Sequence, residues 1–161
     1  GGSLRVHASR ADAGLPVSQR VEGVRTHERE AGLHEPAGYD GLAEQAERVK
    51  LELLHFLIEA KREGKLVAGY GAPAKGNTIL NYCGVRPDLL PFTVDRSPHK
   101  QGRYLPGTRV PVFAPDKVFE QKPAYVLILP WNLESEIREQ LAAIDDWGGR
   151  FVVPIPALEV R

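Results

Sequence analysis

The run Ala124-Tyr125-Val126-Leu127-Ile128-Leu129 shows no polar alternation. Successive residues of a strand point to opposite faces, so a half-buried strand alternates apolar with polar. An unbroken apolar strand is covered on both faces, the condition of strands in parallel sheets whose crossovers lay helices on each side. This segment commits the chain to an α/β architecture, and its surroundings agree. Leu66–Tyr70, Phe92–Asp95, Val110–Val112 and Phe151–Val153 read as further strands. Helices are expected near 75–83 and 115–122, and a third has Asn132 as N-cap and Leu133, Ile137, Leu141 and Ile144 turned inward. Gly148-Gly149 stops it, and Pro154 and Pro156 put the last strand at or near an edge. Strands alternating with helices predict a mainly parallel sheet with helices on both faces and right-handed crossovers.

The first third of the chain has a different grammar. Residues 1–9 read as a short strand after a Gly-Gly turn. Val17, Val21, Val24 and Ala31 recur at helical spacing, predicting a helix over 17–31, followed by a Gly/Pro/His-rich turn from Gly32 to Gly38. Asp40 is the expected N-cap of a longer helix with Leu42, Ala46, Val49, Leu53, Phe56, Leu57 and Ala60 as its apolar stripe, ended by Gly64. Arg48, Glu52, His55, Glu59 and Arg62 lie opposite, so His55 reads as solvated. The layout is therefore a helical linker over 10–63 before a domain over 64–161. A length of 161 residues suits one domain with such an appendage.

Charge narrows the partners. Lys and Arg total 21 and Asp and Glu total 21, so the net charge is zero. Nucleic acid or an anionic membrane calls for a basic surplus or patch, and neither partner is expected. No apolar run approaches the ~20 residues of a spanning helix, and no signal-peptide pattern opens the chain. Cys83 is the single cysteine. It can form neither an internal disulfide nor a cysteine-rich zinc site, so a reducing cytoplasmic location is expected. With no methionine and a Gly-Gly-Ser opening, the chain reads as cleaved from a tag or cut from something longer.

Ligands of open α/β sheets sit beyond the carboxyl ends of the strands. The first such end, Gly69-Tyr70-Gly71-Ala72-Pro73-Ala74, fits G-x-G-x-x-A between a strand and a helix. Glycines let the backbone turn tightly against a phosphate, and free N–H groups at a helix start favour an anion. Lys75, Gly76, Asn77 and Thr78 extend the candidate site, and Asp95 lies 21 residues past Ala74, where dinucleotide folds keep a ribose-binding carboxylate. The domain thus reads as a Rossmann-like, doubly wound nucleotide-binding unit. A Walker loop is excluded because lysine precedes glycine. The 14-residue loop from Asp95 to Thr108 is long enough to be functional, with Lys100, Gln101, Gly102 and Tyr104 as candidates. His99 has no identifiable partner and reads as a surface residue. Trp131 is either packing or a site wall. No nucleophile elbow and no His-x-x-x-His or paired-cysteine spacing is present, so the sequence offers a binding site without a catalytic constellation.

Three motifs in order, VAGYGAPAKGNTILNYCGV (67–85), VDRSPHKQGRYLPGTRVPV (94–112) and LILPWNLESEI (127–137), resemble the C-terminal domain of S-adenosylmethionine-dependent sugar C-methyltransferases. Residues 1–6 resemble the last strand of the preceding methyltransferase domain, and Glu28-x-x-Ala31-Gly32-Leu33 the connecting helix. The resemblance implies a larger parent, with a zinc domain and a domain holding S-adenosylmethionine and the catalytic base ahead of this one. Residues 1–9 would then be a remnant strand of the methyltransferase domain. The parent would methylate a carbon of a nucleotide-activated deoxysugar or a related substrate, and this domain would position the nucleotide sugar while holding neither cofactor. Carried over by position, Ala72, Lys75, Gly76, Asn77 and Thr78 are implied diphosphate or sugar contacts, beside Gly71 of the glycine turn. Asn81 and Tyr82 follow on the same helix, and Lys100, Gln101, Gly102, Pro106 and Gly107 belong to the second motif. Arg109 stands where histidine is commoner in the family. Alone, the chain would bind poorly and catalyse nothing. Two alternatives stay open on the residues alone: a stand-alone NAD(P)- or CoA-binding module, and an interaction domain whose nucleotide site has lapsed.

Overall fold

The computed structural model describes residues 5–161. They divide into two units, one ending at Gln45 and the other spanning Ala46–Arg161. Of the strand expected over 1–9, residues 1–4 lie outside the described residues and 5–9 form no strand. A strand exists only where a ladder partner meets it, and all six strands of the described residues belong to one sheet that does not include this segment.

The first unit holds α1, Gln19–Glu30, whose N-cap is Ser18: its Oγ accepts the Arg20 N–H at 3.3 Å. A 3-10 turn, Pro36–Tyr39, ends at Asp40. The next helix, α2, runs Leu42–Arg62, and its first hydrogen bond joins the Gln45 N–H to the Gly41 carbonyl. Asp40 is therefore not the N-cap expected of it, because Gly41, at φ +82°, takes up the reversal and moves the helix start one residue on. The stripe of α2 narrows to Val49, Leu53, Leu57 and Ala60, all in the second unit, while Leu42 is exposed. At its end the Gly64 N–H bonds to Lys61 and the Lys65 N–H to the Ala60 carbonyl, closing the last turn around Gly64 at φ +67°.

The second unit is a mixed α/β structure on a six-stranded, mostly parallel sheet. Its elements are β1 (Val67–Tyr70), α3 (Ala74–Cys83), β2 (Thr93–Val94), β3 (Val112–Phe113), α4 (Asp116–Gln121), β4 (Tyr125–Ile128), α5 (Glu134–Gln140), β5 (Arg150–Val153) and β6 (Glu159–Val160). The order across the sheet is β3-β2-β1-β4-β5-β6. All pairings are parallel except β5 with β6. The sequence pattern does not announce β6. Two residues carry no periodicity, and the strand exists because β5 offers it an edge, so β5 lies one strand in.

The pleat sorts the core onto two faces. Val67, Leu127, Leu129 and Val152 pack with Leu53 and Leu57 of α2 and Ile79, Leu80 and Cys83 of α3. Ala68, Tyr70, Val126, Ile128, Phe151 and Val153 pack with Val118 of α4 and Ile137 of α5, together with Leu141 and Ile144. The apolar run that had no alternation in sequence is thus divided residue by residue between the faces, as a strand buried on both sides must be.

The segment after β4 departs from the single capped helix expected there. A 3-10 turn, Trp131–Leu133, comes first, closed by the Leu133 N–H on the Pro130 carbonyl at 2.8 Å, and Leu133 rather than Asn132 precedes α5. Leu141, at φ −109° and ψ 21°, breaks the helix, and a second 3-10 turn continues over Ala142–Trp147. Asn132 is drawn out of the cap position, and its side chain goes elsewhere.

Candidate functional site

β1, β2 and β4 all end on the same side of the sheet, and the chain turns into α3, the long loop and α5 there. The glycine turn is built by close packing. Gly71 has φ +88°, and a Cβ on it would lie 2.6 Å from Pro130 Cδ; at Gly76 a Cβ would lie 2.7 Å from Leu129 Cβ. Gly71 therefore makes the left-handed turn, and Gly76, not Ala74, lets α3 close on Leu129, the residue after β4. The first helical bond of α3 is the Asn77 N–H to the Pro73 carbonyl. The N–H groups of Ala74, Lys75 and Gly76 precede it, and such groups have no partner inside their own helix.

Asp95, just past β2, ties this turn to the long loop. Its Oδ2 accepts the Ala72 N–H at 2.6 Å and the Lys100 ammonium at 3.1 Å; its Oδ1 accepts the Ser97 N–H at 2.9 Å. The Gln101 amide donates to the Asp95 carbonyl at 2.9 Å. Burial pushes the Asp95 carboxyl up, but the Ser97 N–H, the Lys100 ammonium and the Ala72 N–H outweigh it and hold it below the ordinary carboxylate value. Both carboxylate oxygens are already occupied by protein donors.

A cleft of about 240 Å³ opens at these strand ends between Tyr70, Gly71, Pro73, Pro130, Leu133 and Ile137. Arg96, Glu136 and Gln140 form its polar side with Asp95 and Lys100. A hydrogen-bonded series crosses it. The Tyr70 hydroxyl donates to Gln140 Oε1 at 2.9 Å, Gln140 Nε2 donates to Glu136 Oε1 at 2.8 Å, and Arg96 pairs with the same oxygen at 3.3 Å. Burial pushes the Tyr70 phenol up; Arg96 opposes this, while Asp95 and Glu136 add to it. Tyr70, Arg96, Glu136 and Gln140 escape the sequence reading because they lie on three separate elements. The available signal was the i, i+4 polar pair Glu136 and Gln140 on a helix that follows a buried strand.

The remaining candidates do not converge on this cleft. Lys75, Thr78, Tyr82 and Trp131 line a separate groove of about 290 Å³ with Ile79 and Ile155. Lys75 donates to Asn132 Oδ1, and its ammonium sits 4.5 Å from the centroid of the Trp131 ring. Trp131 packs against both core clusters and also walls the groove. The Thr78 hydroxyl turns back to the Ala74 carbonyl at 3.1 Å. Asn81 clamps the loop, donating to the carbonyls of Asn77 and Pro106 at 2.9 and 3.0 Å and packing so closely on Gly107 that no side chain fits there. Asn77 Oδ1 is buried without a hydrogen-bond partner. Gly102 turns the loop at φ +74°, and Tyr104 is 68% exposed on it. Burial pushes the Cys83 thiol up to about 11, so it stays protonated and unreactive at neutral pH.

The C-methyltransferase C-terminal domain family matches this chain over residues 1–156. The chain belongs to that family. The C-methyltransferase NovU of Streptomyces niveus is 38% identical over 156 residues, which cover 97% of this chain and 37% of NovU. The chain spans little more than a third of the length of that relative. The strand ends present a cation on an aromatic face, helix-start N–H groups, and a cleft with one apolar and one hydrogen-bonding side. Among the described residues no three His, Cys, Asp or Glu side chains group as metal ligands, and no helix is long and apolar enough to cross a membrane.

Proposed function

We propose that this chain is the substrate-positioning domain of an S-adenosylmethionine-dependent C-methyltransferase acting on a nucleotide-activated deoxysugar in the cytoplasm. The methyl donor, the catalytic base and a structural zinc would belong to the parts of the parent outside this chain, with residues 1–9 and the helices of 10–63 as the connection. We read the architecture as Rossmann-like and doubly wound. Its support is the 3-2-1-4-5-6 strand order, with core helices on both faces and a cleft where that order reverses beside β1.

One observation carries the binding role. Lys75 stands in the first turn of α3, beside the N–H groups that begin the helix, and its hydrogen-bond partner is the neutral amide of Asn132. An ammonium has three donors and a full charge, and among the described residues no carboxylate pairs with this one. Together these groups would hold a diphosphate, and with it the sugar carbon, at a fixed distance from the methyl donor. Orientation of this kind draws on the ~7–11 kcal/mol available from pre-organisation. S-adenosylmethionine, when bound in the parent, supplies the methyl group; Lys75 acts only on the substrate's phosphates. The dinucleotide alternative needs Asp95 for ribose hydroxyls. Asp95 Oδ2 already accepts the Ala72 N–H and the Lys100 ammonium and Oδ1 the Ser97 N–H, so most of its acceptor capacity serves the protein, which favours the sugar-nucleotide reading.

The test is Lys75→Ala in the full-length methyltransferase. A charge-assisted hydrogen bond contributes ~1.5–3 kcal/mol, so KM for the sugar nucleotide should rise ~10–100-fold, with the affinity for S-adenosylmethionine unchanged. Unaltered sugar-nucleotide affinity and turnover would remove Lys75 from this role.

A further inference from the structure

We infer that the cleft at the ends of β1, β2 and β4 receives the base of the nucleotide, with Gln140, held by Tyr70 and Glu136, reading the base's hydrogen-bonding edge. The inference rests on the sugar-nucleotide reading above and fixes which end of that ligand lies where.

Size comes first. At about 240 Å³ the cleft is smaller than the ~300–1,000 Å³ of sites that enclose a drug-sized ligand. It takes one moiety of a sugar nucleotide, not the whole. Charge then decides which moiety. Two cations and two carboxylates line the cleft, and they are paired off: Arg96 with Glu136 at 3.3 Å, Lys100 with Asp95 at 3.1 Å. A diphosphate gains little from cations already neutralised, and it would meet both carboxylates. A neutral heterocycle meets no such repulsion. Lys75 has a neutral partner and follows Pro73 of the cleft wall by two residues, as Asn132 follows Pro130. The ligand would therefore lie with its base in the cleft and its diphosphate against the start of α3.

The shape of the cleft suits a base as well. Pro73, Pro130, Leu133 and Ile137 offer apolar surface to a flat ring, and the polar series stands at the other side. Capacity is left over in that series. Gln140 uses one of its two amide hydrogens, on Glu136, and one of the two lone pairs on its oxygen, for Tyr70. The Tyr70 oxygen keeps its own acceptor sites. A donor and an acceptor side by side on one amide match the adjacent donor and acceptor on a base edge, the geometry by which Gln reads adenine bidentately. Tyr70 is 5% exposed and fixes the amide from below, so the reader is held before the ligand arrives.

The experiment is an amide chemical-shift titration of the 161-residue chain, which registers even millimolar affinity. The probes are dTDP, UDP, ADP, GDP and inorganic pyrophosphate, on the wild type, Gln140→Leu and Tyr70→Phe. Gln140 is exposed and Tyr70→Phe keeps the ring, so both variants are expected to fold, and their spectra report it. One or more nucleoside diphosphates should bind more tightly than pyrophosphate and shift Gly71, Arg96, Leu133 and Ile137. Pyrophosphate should shift only residues about Ala74–Gly76. Gln140→Leu should weaken the preferred nucleotide about tenfold and flatten the ranking of bases, leaving pyrophosphate unchanged. The best-bound base identifies the nucleotide. If nucleoside diphosphates bind no better than pyrophosphate, or both variants keep the wild-type ranking and affinities, the cleft does not read the base, while the diphosphate role of Lys75 stands. Silence from every probe overturns this inference, while the sugar-nucleotide reading is decided separately by Lys75→Ala in the full-length methyltransferase.

Discussion

Asp95 illustrates how far a residue's position in sequence differs from its task in the fold. Its place 21 residues after Ala74 marks it as a ribose ligand, yet both oxygens close hydrogen bonds to backbone N–H groups of two different turns. Sequence reveals that a carboxylate follows β2; only the approach of Ala72, Ser97 and Lys100 reveals that most of its acceptor capacity is taken by the protein. The consequence is measurable. Its carboxyl sits below the ordinary value in the fold, so its contribution to stability is fully present above the unfolded value of ~3.9 and is lost as pH falls through the lowered folded value. Asp95→Asn should lower stability by ~1.5–3 kcal/mol at neutral pH, because an amide presents a donor where two N–H groups need acceptors. Denaturant titrations at several pH values should show that the variant loses less stability than the wild type on acidification below about pH 4. Parallel acid profiles would show that Asp95 does not carry this dependence.

Elements were legible where their pattern is internal to the segment. The stripe of α2 and the glycine that ends it are set by local spacing, and so is the unbroken run of β4. The segment after β4 was not, because Asn132 has the right chemistry for a cap but the chain makes a 3-10 turn through it and hands its side chain to Lys75. β6 was invisible for a related reason, since two residues gain strand form only from a neighbour. The α2 assignment carries a prediction of its own. Leu57 is wholly buried between the helix and the sheet. Leu57→Ala should cost ~2–5 kcal/mol, read as a lower denaturation midpoint with an unchanged m value. A loss under ~1 kcal/mol would mean that the helix does not seal that face as its burial implies.

For the whole molecule, every buried residue of the two core clusters lies between Val49 and Val153, inside the second unit. A fragment of Leu42–Arg161, which keeps α2 entire, should therefore fold by itself. Its thermal transition should stay cooperative, with a melting temperature within a few degrees of the full chain. A broad, non-cooperative melt would show that the preceding residues complete the core.

The sequence by itself determined the α/β class, the mainly parallel sheet, the glycine turn and the family resemblance, because these rest on periodicity, on residue types with restricted backbone freedom, and on motifs contiguous in the chain. The tertiary structure alone decided the makeup of the site. It divided the candidate residues between the cleft and the Lys75–Trp131 groove, spent Asp95 and Asn81 on holding loops together, and joined Tyr70 to Gln140 across 70 positions. The physical reason is that hydrogen bonds and charge pairs act over a few ångströms of space, and distance along the chain carries no record of which strand ends the sheet brings together.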